Sequence, residues 1–470
     1  MSRTIEIRPG LYYDSVTLML LSQNLSEDAA VTHALVAMGT ELNLALLTDA
    51  GYELPDASAG DLVIAFTLVD GAADGDAERV QALVGSLLTQ SNRGNAAGSG
   101  GTEEAPARSV GHAAHTHQAT VSLISVPGAH AFTVAMEAIE AGTHPVVFSD
   151  NVSIEHEIAM KTAANAAGLV AMGPDCGTVI LAGAGLGFAN AVVPGPIGLV
   201  SASGTGAQQV CALADQAGVG VRHVIGLGGR DLSDEVGGLS ALPALRLLDA
   251  DPDVTVIGIV AKSIGPATAA VVDAAIAELS TPTVMVGVDD LTAGTAALLK
   301  TAGVEPPAPL TWAPTESRPA RAGAIVGLYG GGTLAAEAEA VLAAAGVPAD
   351  HVEILDLGDD EFTQGRPHPM IDARLRLGHL ATTIARTDVG AILLDVVLGH
   401  GSLADPAGVL APTIATATVP VHVALVGTAD DPQGRDAQAA TLAAAGAHVY
   451  LSNAAAAASA SAAAAAGATA

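Results

Sequence analysis

The sequence predicts an α/β protein with parallel sheets: a first domain followed by two copies of a second. Three observations predict it. Apolar strand-like runs alternate with helical stretches along most of the chain, and this alternation implies parallel strands joined by crossover helices. Gly 53 and Pro 24 are frequent enough to mark many turns. One pattern also occurs twice, as "GLVSASGTGAQQVCALADQAGVGVRHVIGLGGRDL" from Gly198 and "GLYGGGTLAAEAEAVLAAAGVPADHVEILDLGDDEF" from Gly327. Each copy has a strand end, a small-residue turn with Gly-Thr, an Ala-rich helix, "AGV", and a His-Val strand leading to Leu-Gly and an acid. "VTVIGIVAKSIG" and "VGAILLDVVLGHG" follow at similar distances, and duplication is the economical reading.

In chain order, "RTIEIRPGLYYD" reads as strand and turn. "SVTLMLLSQNL" reads as a helix with Asp14 or Ser15 near its N-cap, and "DLVIAFTLV" as a buried strand. Residues 91–118 lack periodicity and are rich in Gly, Ala and Ser, so a flexible surface insertion is expected. Its histidines His112, His115 and His117 have metal-like spacing. With no carboxylate or thiolate in a structured frame, a solvated loop is expected and no metal site is assigned. "ATVSLISVPGAHAFTVAMEAIEAGTHPVVFSD" gives strand, turn, amphipathic helix, Gly stop and strand, and "IEHEIAMKTAANAAGLVAMGPDCG" repeats helix and strand. "PGPI" at 194–197 closes the first domain. The expected domains are 1–195, 196–304 and 322–453, with a Pro-rich linker at 305–321 and a low-complexity Ala-rich tail at 454–470, read as a frayed helix or a disordered end.

With 18 Lys+Arg against 49 Asp+Glu, the net charge is −31. Such a surface repels nucleic acid and anionic membranes, so neither is expected as a partner. Only three lysines occur, Lys161, Lys262 and Lys300, so anionic substrates must be held by local sites. Two cysteines, Cys176 and Cys211, give no disulfide framework. Without a signal core or an apolar run of about 18 residues, a cytoplasmic location is expected.

The Gly-Thr turns carry the chemistry. A Gly-rich turn lets backbone approach a ligand, and the helix that follows aims its free N–H groups and positive dipole end at it. Together they make an anion site: Ser203, Gly204, Thr205 and Gly206 in the first copy, Gly330, Gly331, Gly332 and Thr333 in the second. In "LGDDEFTQGRPHPMID", Arg366 offers a bidentate fork to an oxyanion, and His368, held between prolines, can donate to an oxyanion or move a proton. Asp356, Asp359, Asp360 and Glu361 lie beside them. Arg230 of "GLGGRDL" is the matching anion ligand of the first copy. Cys176 of "GPDCGT" is a nucleophile only if a histidine approaches it in the fold, and a buried structural thiol is the expectation. His400 of "LGHGSLADP" is a candidate to line the cleft of the second turn.

These residues resemble the succinyl-CoA synthetase superfamily, most closely its FdrA-like branch. The stretches that carry the resemblance are "VFSDNVSIEHEIAMKTAANAAGLVAMGPDCGT", "GLVSASGTGAQ", "GLGGRDLSDEVGG", "GLYGGGTLAAEA", "DLGDD" and "GRPHPMID". The resemblance covers the chain apart from 91–118 and the tail. It implies an N-terminal Rossmann-like, CoA-binding-type domain and two flavodoxin-like domains whose helix ends flank a phosphate or acyl phosphate.

Three departures shape what it implies for function. "RPGLYYDSVTLM" replaces the glycine-rich CoA loop, and Tyr12, Tyr13 and Asp14 crowd and acidify it. "DDLTAGTAALLK" lacks the histidine of a phosphohistidine relay. The three expected domains leave no room for an ATP-grasp domain. CoA and ATP are therefore not expected as ligands. Some FdrA-like proteins act as the large subunit of an oxamate carbamoyltransferase in allantoin degradation, exchanging a carbamoyl group between oxalurate and phosphate. The resemblance implies that role with companion subunits, and carbamoyl phosphate or phosphate as substrate. A nucleotide-dependent acyl-CoA ligase with a partner ATP-grasp subunit and a non-catalytic regulatory or scaffold subunit remain the alternatives.

Overall fold

Strands β1 (Arg3–Arg8), β2 (Val31–Met38) and β3 (Leu62–Leu68) form the N-terminal sheet of the computed structural model, in the order β1-β3-β2 with both pairings antiparallel. All seven residues of the central strand β3 are buried, which explains an apolar run interrupted only by Thr67. Its side chains alternate between faces. Ile64 and Phe66 meet Leu18, Leu21 and Leu25 of α1 (Ser15–Ser26), while Val63 and Ala65 meet Leu47 of α2 (Glu41–Asp49) and Tyr52. Val80, Val84 and Leu88 of α3 (Asp76–Gly94), at helical spacing, complete the first face. The structure describes residues 3–469 except 12, 14, 27, 54–56, 59, 74, 95–106, 108 and 364–366.

Residues 1–107 with 363–367 form one compact unit, and 108–362 with 368–470 form another. The boundary at 107 differs from the expected end of the first domain at 195. Strand pairing separates the two units: residues 121–124 pair with 144–147, and residues 178–187 join the sheet of residues 197–287. The second unit begins with α4 (Val110–His117), β4 (Val121–Ile124), α5 (Gly128–Glu140), β5 (His144–Val147) and α6 (Ile154–Ala166). β4 and β5 are parallel, with α5 as their crossover. α4 corrects part of the expected loop. Ser109 accepts the N–H of His112 at 3.2 Å as its N-cap, and His112, His115 and His117 are exposed on it.

Two six-stranded sheets follow. The first contains a hairpin of β6 (Thr178–Leu181) and β7 (Ala184–Gly187), then β8 (Ile197–Ser201), α7 (Gly204–Gln216), β9 (Val221–Gly226), α8 (Ala241–Ala250), β10 (Val256–Ala261), α9 (Pro266–Ile276), β11 (Thr283–Gly287) and α10 (Leu291–Thr301). Its order is β11-β10-β8-β9-β6-β7. The second contains β12 (Thr311–Trp312), β13 (Ala324–Tyr329), α11 (Gly332–Ala344), β14 (Val352–Asp356), α12 (Asp360–Thr363), α13 (Arg374–Ala385), β15 (Val389–Val397), α14 (Pro406–Ile414), β16 (Val421–Val426), α15 (Arg435–Ala444), β17 (Ala447–Tyr450) and α16 (Asn453–Thr469). Its order is β12-β17-β16-β15-β13-β14. In each sheet the first parallel strand, β8 or β13, has its two successors on opposite sides. Such a reversal opens a crevice at the C-terminal ends of the strands.

The Ala-rich tail is ordered structure. Ala456, Ala457 and Ala460 of α16 are fully buried in a core shared with α7, α10 and α11, and alanine permits that close approach. A polar network fixes its start. Asn453 Nδ2 donates to Leu334 O and to Glu337 Oε2, both at 2.8 Å, and the Tyr329 hydroxyl donates to Asn453 Oδ1 at 3.2 Å. Glu337 Oε1 accepts the Leu291 N–H at 2.6 Å. Gln209 accepts from Asn453 N at 3.1 Å and donates to Leu451 O at 2.9 Å. The segment 305–321 is also held, since the Arg318 guanidinium donates to the carbonyls of Ile414, Ala445 and Gly446. Among the described residues no helix is long and apolar enough to cross a membrane.

Candidate functional site

The two Gly-Thr turns meet. Ser203 at the start of α7 and Thr333 at the start of α11 share a hydrogen bond of 2.6 Å between their hydroxyls. A Cβ placed on Gly331 would lie 2.7 Å from Thr205 Cγ2, so only glycine lets the second turn lie this close to the first. The helix starts of the two copies therefore converge on one place. In each, the first-turn N–H groups lack intrahelical partners and carry the positive dipole end.

The two turns are held differently. Ser203 Oγ accepts the Gly206 N–H at 2.9 Å, a local N-cap. Gly331 has no side chain with which to cap α11. Instead Asp395 of β15 accepts the N–H groups of Gly330 and Gly331, both at 2.9 Å. Arg376 of α13 donates to Asp395 Oδ1 and to its backbone carbonyl at 2.6 Å each. Asp395 is fully buried and Arg376 nearly so, and Arg376 Nε has no hydrogen-bond partner. This corrects the expectation for Gly330 and Gly331: their N–H groups serve Asp395, so Gly332 and Thr333 remain as the candidate donors of the second turn.

His368 reaches this corner. Its Nδ1 accepts the Met370 N–H at 3.2 Å, which leaves the ring proton on Nε2. A Cβ on Gly358 would lie 2.7 Å from that Nε2. Burial first, and the Arg376 charge second, push the imidazole down to about 4. At neutral pH His368 is thus an uncharged donor through Nε2. Asp356, at the end of β14, lies so close to Gly332 that any side chain there would collide with its Oδ2. Burial raises its carboxyl above the usual range, and the charges of Asp395 and Asp359 add to the rise. Phe188 packs against the His368 ring at 5.9 Å between centroids.

The other expected residues are placed elsewhere or lie outside the description. Arg230 donates to Val152 O at 2.8 Å and pairs with Glu157 at 2.8 Å. Glu157 in turn pairs with the fully buried Lys161, which also pairs with Asp231. These partners hold Arg230 against α6, while its side chain stays 46% exposed. Arg366 and the side chain of Asp360 lie outside the described residues. Asp359 is exposed and accepts the Glu361 N–H at 3.0 Å. Cys176 is buried, and desolvation pushes its thiol up to about 12, away from the thiolate form a nucleophile needs. The His400 backbone pairs with Ala189 in both directions, and its exposed ring lies on the rim of the β15 end.

Sequence reasoning missed Asp395 and Arg376. A signal for the first existed, because Asp395 is the sole charge in "VGAILLDVV", whose nine residues are all buried. A carboxylate inside such a strand needs a specific partner. Nothing in "DARLRLGHL" marks Arg376 as that partner. Among the described residues no group of three or more His, Cys, Asp or Glu is arranged to hold a metal.

Residues 328–463 match the family described as CoA-ligase, and residues 1–106 match one described as AllF, heavy metal-associated domain. Residues 1–106 contain no cysteine, so a thiolate pair for a soft metal is not available there. The chain is 35% identical to the Escherichia coli (strain K12) protein YahF over 459 residues, 88% of this chain and 87% of that one. It is 31% identical to subunit alpha 2 of the ADP-forming succinate–CoA ligase of Archaeoglobus fulgidus over 194 residues, 40% of this chain and 66% of that subunit. Among solved structures, the dinucleotide-forming acetyl-coenzyme A synthetase 1 of Ca. Korarchaeum cryptofilum, in complex with phosphate and ADP, aligns at 17% identity and a TM-score of 0.29. That alignment spans 74% of this chain and 82% of that one, an overlap too loose to carry an argument.

Proposed function

The chain belongs to the FdrA-like branch of the succinyl-CoA synthetase superfamily, and from that premise we propose that it is the large subunit of an oxamate carbamoyltransferase. The observation that carries the reading is the meeting of the two helix starts at Ser203 and Thr333. A single phosphate placed there receives N–H groups and hydroxyls from both copies. In the reaction, a phosphate oxygen attacks the carbamoyl carbon of oxalurate. The bond from that carbon to the oxamate nitrogen breaks, the nitrogen takes a proton, and carbamoyl phosphate and oxamate leave. His368 is suited to the charge that develops on the carbamoyl oxygen, because a neutral Nε2–H donates without needing to titrate. Asp356, whose carboxyl is raised, is suited to move the proton.

Neither CoA nor ATP is needed for this exchange. Tyr13, at the place of the family's glycine-rich loop, favours a reading without CoA; Tyr12 and Asp14 lie outside the described residues. Companion subunits remain part of the proposal, and the relative from Archaeoglobus fulgidus is itself a subunit alpha. The match of residues 328–463 to CoA-ligase favours a second reading, an acyl-CoA ligase completed by an ATP-grasp subunit.

One assay separates them. The full chain with its co-purified subunits is given carbamoyl phosphate and oxamate, or separately CoA, succinate and ATP. Oxalurate and phosphate in the first tube, with no ADP in the second, is the expected result. CoA-dependent ADP release would overturn the proposal in favour of the ligase, and silence in both would leave a non-catalytic subunit. Calorimetric titration of the full chain with CoA should show no micromolar affinity.

A further inference from the structure

Among the described residues, the proposed site lacks an uncommitted counter-charge. Each helix end contributes a partial charge of roughly half an elementary charge, and a phosphate dianion brings two negative charges. Arg376 is committed to Asp395 at 2.6 Å, and Arg230 to Glu157 at 2.8 Å. Asp356 adds a carboxyl beside Gly332 that makes no ion pair among the described residues. A dianion would meet this corner inside a chain of net charge −31, where an additional cation would favour its binding.

Lys262 stands in the right place. It is the first residue after β10, and β10 pairs with β8 such that Val260 lies opposite Ser201. The Ala202 N–H donates to Val260 O at 2.9 Å, so the backbone just before Ser203 is tied to the backbone just before Lys262. β8 is flanked by β10 on one side and β9 on the other. The loops after β8 and β10 therefore form the two lips of the crevice at the strand reversal, where ligands of parallel sheets bind. The Gly265 N–H donates to Leu232 O at 2.9 Å and fixes the far end of the short loop. The Lys262 side chain is exposed, and no hydrogen bond or ion pair among the described residues holds its ammonium. Its charge nonetheless reaches the second copy, where it lowers the Asp356 carboxyl against the effect of burial. Lys262 thus belongs to the first sheet and acts on the turn of the second.

We propose that the Lys262 ammonium binds the phosphate or carbamoyl phosphate held between the Ser203 and Thr333 turns, making it the specificity-determining cation of the site. The proposal rests on the anion-site reading above. It also assigns a purpose to one of the chain's three lysines: a compact point charge suits a tetrahedral anion approached from one side.

The test is calorimetric titration of the full chain with inorganic phosphate at fixed ionic strength, comparing wild type with K262M, K262R and D356N. K262M is expected to weaken phosphate binding about tenfold or more, as for a lost charge-assisted contact. K262R should recover most of the affinity, and D356N should tighten binding by removing a like charge. Thermal midpoints should stay unchanged in K262M, because the side chain is exposed and unpaired. A merely structural lysine would not give opposite signs for K262M and D356N. Equal affinity in wild type and K262M overturns the proposal. Wild type without measurable phosphate affinity overturns it together with the anion-site reading. Lysine-dependent phosphate binding without carbamoyl transfer in the complete complex sustains Lys262 and removes only the carbamoyl reading.

Discussion

The two copies reach the same turn by different means. In the first, Ser203 caps α7 from within the turn, and the fixing atoms lie three residues apart. In the second, Gly331 cannot cap α11, and a carboxylate 64 residues later in the chain, Asp395, takes over with Arg376 as its counter-ion. The first turn is thus a property of its own sequence, and the second a property of the folded sheet. The difference follows from the glycines. Three in a row let the second turn approach Thr205 closely, but they remove the side chain that would have held it.

The contrast can be broken by substitution. The largest effect is expected from Arg376→Met, which leaves Asp395 buried without its partner. Such a loss costs about 3–5 kcal/mol, to be read from denaturant unfolding of the full chain. Ser203→Ala should cost about 1 kcal/mol, as for an ordinary N-cap. Equal costs for the two would mean that both turns are held locally, and the contrast would fall.

A second effect concerns His368. His368→Ala should lower turnover of the complete enzyme by about 10²-fold if Nε2 donates to the reacting oxygen. Its imidazole titrates near 4 in the folded chain, below the ordinary value of 6.5. Protonation therefore favours the unfolded chain, and the stability from this group is full above about 6.5 and is lost as pH falls toward 4. His368→Gln should remove that part of the acid slope in pH-dependent unfolding; an unchanged slope would place the ring in solvent.

Glu337 carries the opposite sign. Burial raises its carboxyl to about 7 from 4.5, so its contribution is full below about 4.5 and is lost as pH rises through 7. Glu337→Gln should flatten unfolding free energy across that window. The smallest effect sharpens the comparison. A double-mutant cycle of Ser203→Ala with Thr333→Val should give a coupling of about 1 kcal/mol, the worth of one hydrogen bond between the copies. Zero coupling would mean that the two turns do not meet in solution.

What could be read from the sequence follows the same division. The duplicated strand–turn–helix units, the buried β3 and the α5 crossover are written in local periodicity, and they form as expected. Ser203 and Thr333 were visible because small residues between strand and helix have a local reason to be there. Asp395, Arg376 and Lys262 act across sheets, and their neighbours in sequence say nothing about their neighbours in space. The partner of Arg230 was hidden for the same reason. Arg230 sits in the loop that matches the second copy, yet α6 offers it Glu157. For the tail, a frayed helix and a disordered end stayed open because "AAAAASASAAAAA" has no apolar stripe: it is a helix, and one buried on a crowded face needs small residues more than a pattern.

The Gln209–Asn453 contact also sets a schedule. Its partners are 244 residues apart, and Gln208 waits for Leu398, 190 residues on. At synthesis rates of about 5–20 residues per second, α7 leaves the ribosome roughly 10–50 s before the groups that will cover it exist. An all-apolar helix face would spend that interval as a sticky surface. Two buried glutamines, Gln208 and Gln209, give the waiting helix a face that water can solvate until the second half arrives.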